Sequence, residues 1–107
     1  MKRKKSQNYD ELLIKTLRKP KEAIGYLNAI LEECKDGSKE SQQILLNALR
    51  KVAIAQGGFS DLSEKTNLSR ESLYKTLSKK GNPKLTTFNT LLSAMGFELK
   101  VGLPARR

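Results

Sequence analysis

The polar side chains of residues 69–79 have the chemistry and the spacing of a surface that contacts nucleic acid. Leu73 and Leu77 are four residues apart, so on a helix they share one apolar side. The opposite side then carries a guanidinium, a carboxylate, a hydroxyl and two ammonium groups: Arg70, Glu71, Ser72, Lys75 and Lys79. Base edges and phosphates offer partners for such groups. A short helix with a polar, partly basic outer side is what a reader of the DNA major groove requires.

Two short helices joined by a tight turn must position this surface, and residues 59–78 have the pattern for them. Leu62 anchors the first helix, and Leu68 fills the turn. Ser69 can cap the second helix, because its hydroxyl accepts a hydrogen bond from a backbone N–H of the first turn. Phe59 opens the first helix, and we interpret it as a packing residue. The segment is predicted to be a helix-turn-helix motif, which makes the chain a candidate DNA-binding protein.

The composition excludes several other classes of function. The chain has 107 residues, enough for one domain, with a single cysteine, Cys34, and no histidine. Intramolecular disulfides, zinc sites built from Cys and His, and His-dependent catalytic triads are therefore excluded. The acidic residues are scattered over helix sides and no nucleophile–base pair is apparent, so we expect neither an enzyme nor a cofactor or metal. Cys34 lies on a helical apolar stripe, and we predict a small core residue.

Charge is unevenly distributed along the chain, whose formal net charge is +10. Residues 59–85 carry six basic and three acidic side chains, net +3, whereas residues 21–58 carry five of each. This asymmetry favours a polyanionic partner, because each phosphate contact releases condensed counterions. The alternative is a basic chain that is merely soluble. No apolar run approaches the roughly 20 residues that cross a membrane. Polar residues follow the basic start, so a signal peptide is not expected and we predict a cytoplasmic protein.

Apolar spacing predicts three helices before the motif. Residues 1–8 are polar and strongly basic, and we expect them to be disordered. A short helix is predicted over about 10–18, and with the tail it forms the segment 1–19. Pro20 suits the first position of a helix over about 20–35, and a further helix is predicted over about 39–55, capped by Ser38 after a positive-φ Gly37. The inward residues expected on the 20–35 helix are Ile24, Leu27, Leu31 and Cys34, with Ala23 and Ile30 beside this stripe.

After the motif, a loop over 79–84 leads to a helix capped by Thr86, with Phe88, Leu91, Leu92 and Met95 at helical spacing. Residues 97–101 then alternate apolar and polar, the pattern of a half-buried strand. A lone strand has nothing in this chain to pair with, so Phe97, Leu99 and Val101 are predicted to form a contact between two copies across a two-fold axis. The predicted fold is all-α, with a helical domain over 20–101 and a tail over 102–107.

The chain resembles a family of addiction-module antidote proteins, members of the lambda-repressor-like helix-turn-helix group. The likeness covers about three quarters of the chain, from Ala23 to Val101. The stretches that carry it are Gly25–Glu33, Gly57–Ser60 and Leu68–Lys75, extended by Leu77–Leu85 and Met95–Leu99. Two residues depart from the family pattern. Lys19 replaces the aspartate that usually precedes Pro20, and Asn67 replaces the glycine of the motif's turn, where asparagine is tolerated.

The resemblance implies a five-helix DNA-binding domain with an N-terminal helix extension, encoded beside a small toxin of the RelE/ParE/HigB-like kind. The antidote would neutralise that toxin and, as a homodimer, repress the shared operon at a palindromic operator. The expected base contacts are Arg70, Glu71 and Lys75. The expected backbone contacts are Ser69, Ser72, Tyr74, Lys79, Lys80, Asn82 and Lys84.

These assignments have structural alternatives. Glu71 could merely favour the helix N-terminus electrostatically, and Arg70 or Lys75 could touch only phosphate. Tyr74 could pack on the preceding helix or lie wholly in the core. The candidate toxin-binding surfaces are the N-terminal helix, through Tyr9, Leu12, Leu13 and Leu17, and the exposed parts of 21–40. An amphipathic helix in a partner's groove is a common mode of recognition. The same helix could instead fold back on its own domain.

Three functions compete at this point. An antitoxin that autoregulates is favoured, and the alternative is a stand-alone helix-turn-helix repressor without a toxin partner. An RNA-binding regulator is disfavoured because the chain has only three Tyr, three Phe and no Trp, and so lacks the interleaved aromatic side chains that stack on bases.

Overall fold

A computed structural model describes residues 2–104, with side chains from residue 9 onward. Six α-helices make up its regular structure: α1 (Lys2–Thr16), α2 (Pro20–Glu33), α3 (Lys39–Ala55), α4 (Gly58–Thr66), α5 (Arg70–Thr76) and α6 (Leu85–Ala94). No strand occurs among these described residues, so the all-α prediction is confirmed. None of these helices is long and apolar enough to cross a membrane.

Local sequence signals set most of the helix ends. Pro20 is the first residue of α2, and the side chain of the N-cap residue Lys19 makes no capping hydrogen bond. Ser38 caps α3 by accepting a hydrogen bond of 3.1 Å from the Ser41 N–H, after Gly37 at φ +70°. One prediction is wrong: α6 begins at Leu85 after the N-cap residue Lys84, so Thr86 lies inside the helix instead of capping it. The first helix is also longer than predicted, beginning at Lys2 and ending at Thr16. Residues 2–8, which we expected to be disordered, are therefore helical, and that prediction is wrong.

The core is built around α3, which packs against α1, α2 and α4, while α4 also contacts α5 and α6. Every helix or the turn next to it contributes apolar side chains to one cluster: Leu17, Ala23, Leu27, Leu46, Ala48, Leu49, Val52, Ala53, Phe59, Leu62, Leu73, Leu77, Leu91 and Leu92. Each fully buried leucine contributes about 1.5–3 kcal/mol of transfer free energy. This shared core holds the helix-turn-helix motif against α3.

The apolar stripe of α2 differs from the predicted one. Ala23 and Leu27 are buried and Ile30 is half-buried, whereas Ile24 is exposed. The side of α2 that contacts the core therefore follows positions 23, 27 and 30, an i, i+4, i+7 row rotated from the predicted one. Cys34 is the half-buried C-cap of α2, not a core residue, so that prediction is wrong.

The N-terminal helix folds back on its own domain. Leu17, just after α1, is only 1% exposed, and Leu13 packs partly buried against the core. On α3, Lys51 Nζ lies 3.4 Å from Asp10 Oδ1, and Gln56 Nε2 donates a hydrogen bond of 2.8 Å to the Leu17 carbonyl oxygen. These contacts attach α1 to α3 along most of its second half.

The predicted strand over 97–101 does not form within the described chain. The Phe97 N–H donates a hydrogen bond of 2.9 Å to the Leu92 carbonyl oxygen, and the Phe97 side chain packs half-buried on the core. Leu99 is 36% exposed and Val101 is fully exposed. A strand needs a hydrogen-bonded neighbour, and one copy of the chain supplies none. The predicted contact between two copies therefore stays a prediction.

Candidate nucleic-acid interface

The turn between α4 and α5 is held by hydrogen bonds of its own side chains. The Ser63 hydroxyl donates to the Leu68 carbonyl oxygen at 2.5 Å, and the Leu68 N–H donates to Thr66 Oγ1 at 3.2 Å. Asn67, the C-cap residue of α4, adopts the left-handed conformation at φ +64°, as expected for a residue in the position of a glycine. The turn therefore sets a defined angle between the two helices.

One side of α5 is buried in the core. Leu73 and Leu77 have no exposed surface, and Ser69 caps the helix by accepting a hydrogen bond of 3.0 Å from the Ser72 N–H. Tyr74 packs on α4, where its ring centroid lies 4.5 Å from that of Phe59, and it is still 56% exposed. Tyr74 therefore packs on the preceding helix and does not lie wholly in the core, whereas a contact of its hydroxyl with phosphate stays a prediction.

The opposite side of α5 and the following loop present the predicted polar residues to solvent. Arg70, Glu71 and Lys75 are exposed, and Ser72 is half-buried. The exposed residues that surround them are Ser69, Tyr74, Lys79, Lys80, Asn82 and Lys84. We call the whole set, with Ser72, the α5 surface.

The cations of the α5 surface are available to a partner. In the described part of the chain, the ion pairs within 4.0 Å involve Lys35, Lys51, Lys65 and Lys100. Lys65 of α4, for example, pairs with Asp61 at 3.0 Å. Arg70 and the four lysines of the α5 surface have no such carboxylate partner among the described residues. Their charge is therefore free to attract an anion.

Two side chains of α3 fix the C-terminal end of this surface, and the sequence alone did not indicate them. Arg50 Nη1 donates a hydrogen bond of 3.1 Å to the carbonyl oxygen of Leu77, the C-cap residue of α5. Gln42 Nε2 donates to the Gly81 carbonyl oxygen at 3.0 Å and to Asn82 Oδ1 at 3.2 Å. Both partners are more than 25 residues away in the chain, so no local pattern could reveal the pairs.

The loop after α5 makes a close approach that only glycine allows. A Cβ atom on Gly81 would lie 1.9 Å from the Thr76 carbonyl oxygen, which belongs to the backbone of α5. This approach holds the loop with Lys79, Lys80 and Asn82 against the end of the helix. The predicted phosphate-contacting residues of the loop therefore adjoin the predicted base-contacting residues of α5.

The four residues of the predicted toxin-binding face differ in their exposure to solvent. Tyr9 and Leu12 are 66% and 64% exposed, whereas Leu13 is half-buried and Leu17 belongs to the core. Leu17 cannot contact a partner in this conformation, because α1 folds back on α3. Tyr9 and Leu12 remain as the exposed apolar pair on the outer side of α1.

Comparison with known proteins decides the family. The model of the family described as "Probable addiction module antidote protein" matches residues 7–103, which is most of the chain. The chain belongs to this antidote family. An uncharacterized protein of Haemophilus influenzae (strain ATCC 51907 / DSM 11121 / KW20 / Rd) is similar to this antidote protein, with 34% identity over 76 residues that cover 71% of each chain. No solved structure matches the antidote protein described here significantly.

Membership in the antidote family has two direct consequences. An antidote protein is a regulatory protein and not an enzyme. Its family also implies, in general terms, a toxin as its partner. The matched residues 7–103 include the outer side of α1 and the whole α5 surface.

Proposed function

We propose that the protein is the antitoxin of a type II toxin–antitoxin module. It neutralises a small RelE/ParE/HigB-like toxin in the cytoplasm and represses its own operon by sequence-specific DNA binding as a homodimer. The observation that carries the DNA-binding half is the α5 surface. It combines a capped helix, whose opposite side is buried through Leu73 and Leu77, with five exposed cations that have no carboxylate partner among the described residues.

The DNA-binding domain in this proposal is the lambda-repressor-like group of five helices, α2 to α6. The α5 helix enters the major groove, where Arg70 donates two hydrogen bonds to a guanine and Glu71 accepts one from a cytosine amino group. Lys75 provides the third base contact. Each good contact contributes about 1–3 kcal/mol to discrimination between bases. The sequence-specific part of binding is thereby assigned to three exposed residues on one helix.

The remaining residues of the α5 surface position the protein on the DNA backbone. Ser69, Ser72 and Tyr74 flank the base-contacting residues, and the loop adds Lys79, Lys80, Asn82 and Lys84. Contacts to phosphate fix register and orientation without reading sequence. In a homodimer, two α5 helices about 34 Å apart would match two half-sites of a palindromic operator. The hydrogen bonds from Gln42 to Gly81 and Asn82 attach this loop to α3, which supports the proposed phosphate contacts of the loop.

The toxin-binding half of the proposal uses the outer side of α1. Tyr9 and Leu12 are exposed apolar residues one helical turn apart on an element that lies outside the five-helix domain. Their spacing suits a helix that contributes two anchors to an apolar partner surface. Antidote family membership supplies the independent reason to expect a toxin there.

The experiment that tests the proposal is co-expression in bacteria with the small reading frame adjacent to the gene. We expect growth arrest from that reading frame alone and rescue when this protein is also made. Rescue should persist in Arg70→Ala, since the variant changes only the DNA-binding side. Absence of arrest, or arrest without rescue, would contradict the antitoxin role and leave a stand-alone repressor, whose operator binding is measured separately by gel shift with the promoter fragment.

A further inference from the structure

The end of the described chain is an open backbone edge. After the hydrogen bond from the Phe97 N–H to Leu92, the backbone of residues 98–104 makes no hydrogen bond to any other part of the described chain. The segment carries the alternating pattern of a strand, with Phe97, Leu99 and Val101 on one side and Glu98 and Lys100 on the other. Unpaired N–H and C=O groups in such a segment are a template for pairing with another strand.

Apolar surface accompanies this open edge. Val101 and Leu103 are almost completely exposed, which is unusual for two apolar side chains so close together. Leu99 borders an apolar depression between α2, α6 and the segment itself, lined mainly by Ile24, Leu27, Leu31, Phe88, Leu92 and Phe97. A partner strand would therefore satisfy the backbone and cover apolar surface at once.

We infer that the occupant is a second copy of the same segment, paired antiparallel about a two-fold axis at Leu99. This inference rests on the homodimer of the proposed function and specifies its contact. In this register Leu99 lies opposite the partner's Leu99, and Phe97 lies opposite the partner's Val101. The exposed Val101 of each copy is thereby brought to the apolar depression of the other, next to Phe97.

The charges of the segment select this register. With the axis at Leu99, Glu98 lies opposite the partner's Lys100 on both sides of the axis. Moving the axis to residue 98 or to residue 100 would put Glu98 opposite the partner's Glu98, or Lys100 opposite the partner's Lys100, and like charges directly opposite each other are destabilising. A slip by one residue in the pairing would set apolar side chains opposite polar ones. The sequence from 97 to 101 is self-complementary only about its centre.

The two charged groups are suitably placed for such an exchange. Glu98 Oε2 and Lys100 Nζ are 3.6 Å apart within one copy, and both side chains are more than 70% exposed. An exposed pair of this kind contributes little by itself. The same groups can therefore move to partners across the axis with little loss within the copy.

Disulfide trapping tests the register in the full-length protein. We use a Cys34→Ser background, add Leu99→Cys, and oxidise mildly. Residues opposite each other in an antiparallel pair have Cα atoms about 4.5–5.5 Å apart, within the range of a disulfide. We expect a covalent dimer. The matched control is Leu103→Cys in the same background. In this register, position 103 of one copy lies eight residues along the strand from position 103 of the other, so the two thiols would be about 26 Å apart. Equal cross-linking of both variants would overturn the inference.

A charge exchange tests the pairing without cysteines. Glu98→Lys and Lys100→Glu each put like charges opposite each other, so each homodimer should dissociate about tenfold more readily than the wild type. Mixed together, the two variants should form a heterodimer with near wild-type affinity, because every cross-strand pair is then of opposite charge. Residues 98 and 100 within each copy still carry like charges in the mixture, so their interaction within the copy cannot account for the regained dimer affinity. The readout is analytical ultracentrifugation of each variant and of the mixture.

The outcomes separate this inference from the proposed function. A dimer that rescues growth and binds the operator, but shows neither trapping at 99 nor the heterodimer preference, would overturn the register and leave the antitoxin role. A monomer that binds the operator would overturn it as well. Loss of rescue and of operator binding in the wild type would contradict the proposed function, whatever the trapping result.

Discussion

The guanidinium of Arg50 reaches the end of the proposed recognition helix: its Nη1 donates a hydrogen bond of 3.1 Å to the Leu77 carbonyl oxygen. Its Nη2 donates to Asn47 Oδ1 at 2.6 Å, which orients the guanidinium on α3. A cation at a helix C-terminus also interacts favourably with the helix dipole. Since α5 has only seven residues, an anchor at its last turn constrains the orientation of the whole helix.

We expect Arg50→Met to weaken operator binding more than binding to unrelated DNA. The variant keeps the stem of the side chain but loses the hydrogen bond to Leu77, so α5 is less well oriented, while the lysines proposed to contact phosphate remain. Stability should fall by about 1.5–3 kcal/mol, the range for a hydrogen bond to a charged group. Fluorescence anisotropy with operator and scrambled duplexes at one salt concentration measures the ratio. An equal loss on both duplexes would show that Arg50 has no part in specificity.

Arg70→Ala and Lys75→Ala should each reduce operator affinity by about 1–3 kcal/mol, because each removes one of the proposed contacts to a base edge. Both side chains are exposed, so the unfolding temperature should stay within a degree or two of the wild type. Lys21→Ala, an exposed lysine in the first turn of α2, is the matched control and should leave specificity unchanged. Gel shifts and thermal melts of all three variants are the measurement. Unfolding of either variant would invalidate the assignment.

Leu73→Asp should abolish the fold. Leu73 is completely buried between α5 and the core, and an aspartate there would place an unpaired charge in apolar surroundings. The control is Lys75→Asp, which introduces the same side chain two residues away at an exposed position. Circular dichroism should show cooperative melting for the control and none for Leu73→Asp. Unchanged melting of Leu73→Asp would mean that Leu73 is not buried in solution.

Tyr9→Ala and Leu12→Ala should each weaken toxin binding by more than about 1 kcal/mol while leaving the fold intact, as expected for exposed apolar anchors. Ile44→Ala changes a comparably exposed apolar residue of α3, next to Leu77 and Ser78, and serves as the control. Calorimetric titration with the purified toxin measures the affinities. If Ile44→Ala were the more damaging change, the toxin would have to contact the α5 side of the molecule.

Acid should weaken the start of α3. The Asp36 carboxylate accepts hydrogen bonds from the Ser41 hydroxyl at 2.6 Å and from the Ser38 N–H at 3.1 Å, and these lower its pKa below the ordinary value of 3.8. A pKa lowered by folding adds stability that is present above the unfolded value and is lost as the pH falls through the folded one. The wild type should therefore be more stable than Asp36→Ala at neutral pH, and the difference in melting temperature should shrink below about pH 4. A difference in melting temperature that is as large at pH 2 as at neutral pH would contradict this assignment.

Local signals located most of the elements and the main features of the motif. The caps Ser38 and Ser69 and the left-handed Asn67 depend on hydrogen bonds and sterics within a few residues, which the sequence displays directly. The alternation of Leu73 and Leu77 with polar neighbours likewise assigned the two sides of α5. The α5 surface was therefore predictable as a list of residues before its geometry was known.

Predictions that depended on neighbouring elements were less successful. Whether Ile24 or Ala23 lies inward depends on the rotation of α2 against α3, and Leu17 could be assigned to a partner or to the core until α1 was seen to fold back. Thr86 was predicted to be the N-cap of α6, but the helix begins one residue earlier, at Leu85, and packs Phe88, Leu91 and Leu92 against the core.

By itself, the sequence determined that the chain is helical, where its turns lie, and which side chains of α5 face solvent, because these follow from interactions between residues close in the chain. Only the tertiary structure decided what holds that surface in place. The bonds from Arg50 to Leu77 and from Gln42 to Gly81 join residues 27 and 39 positions apart. Such pairs form because α3, α4 and α5 bury one common core, and that relationship is a property of the packed molecule.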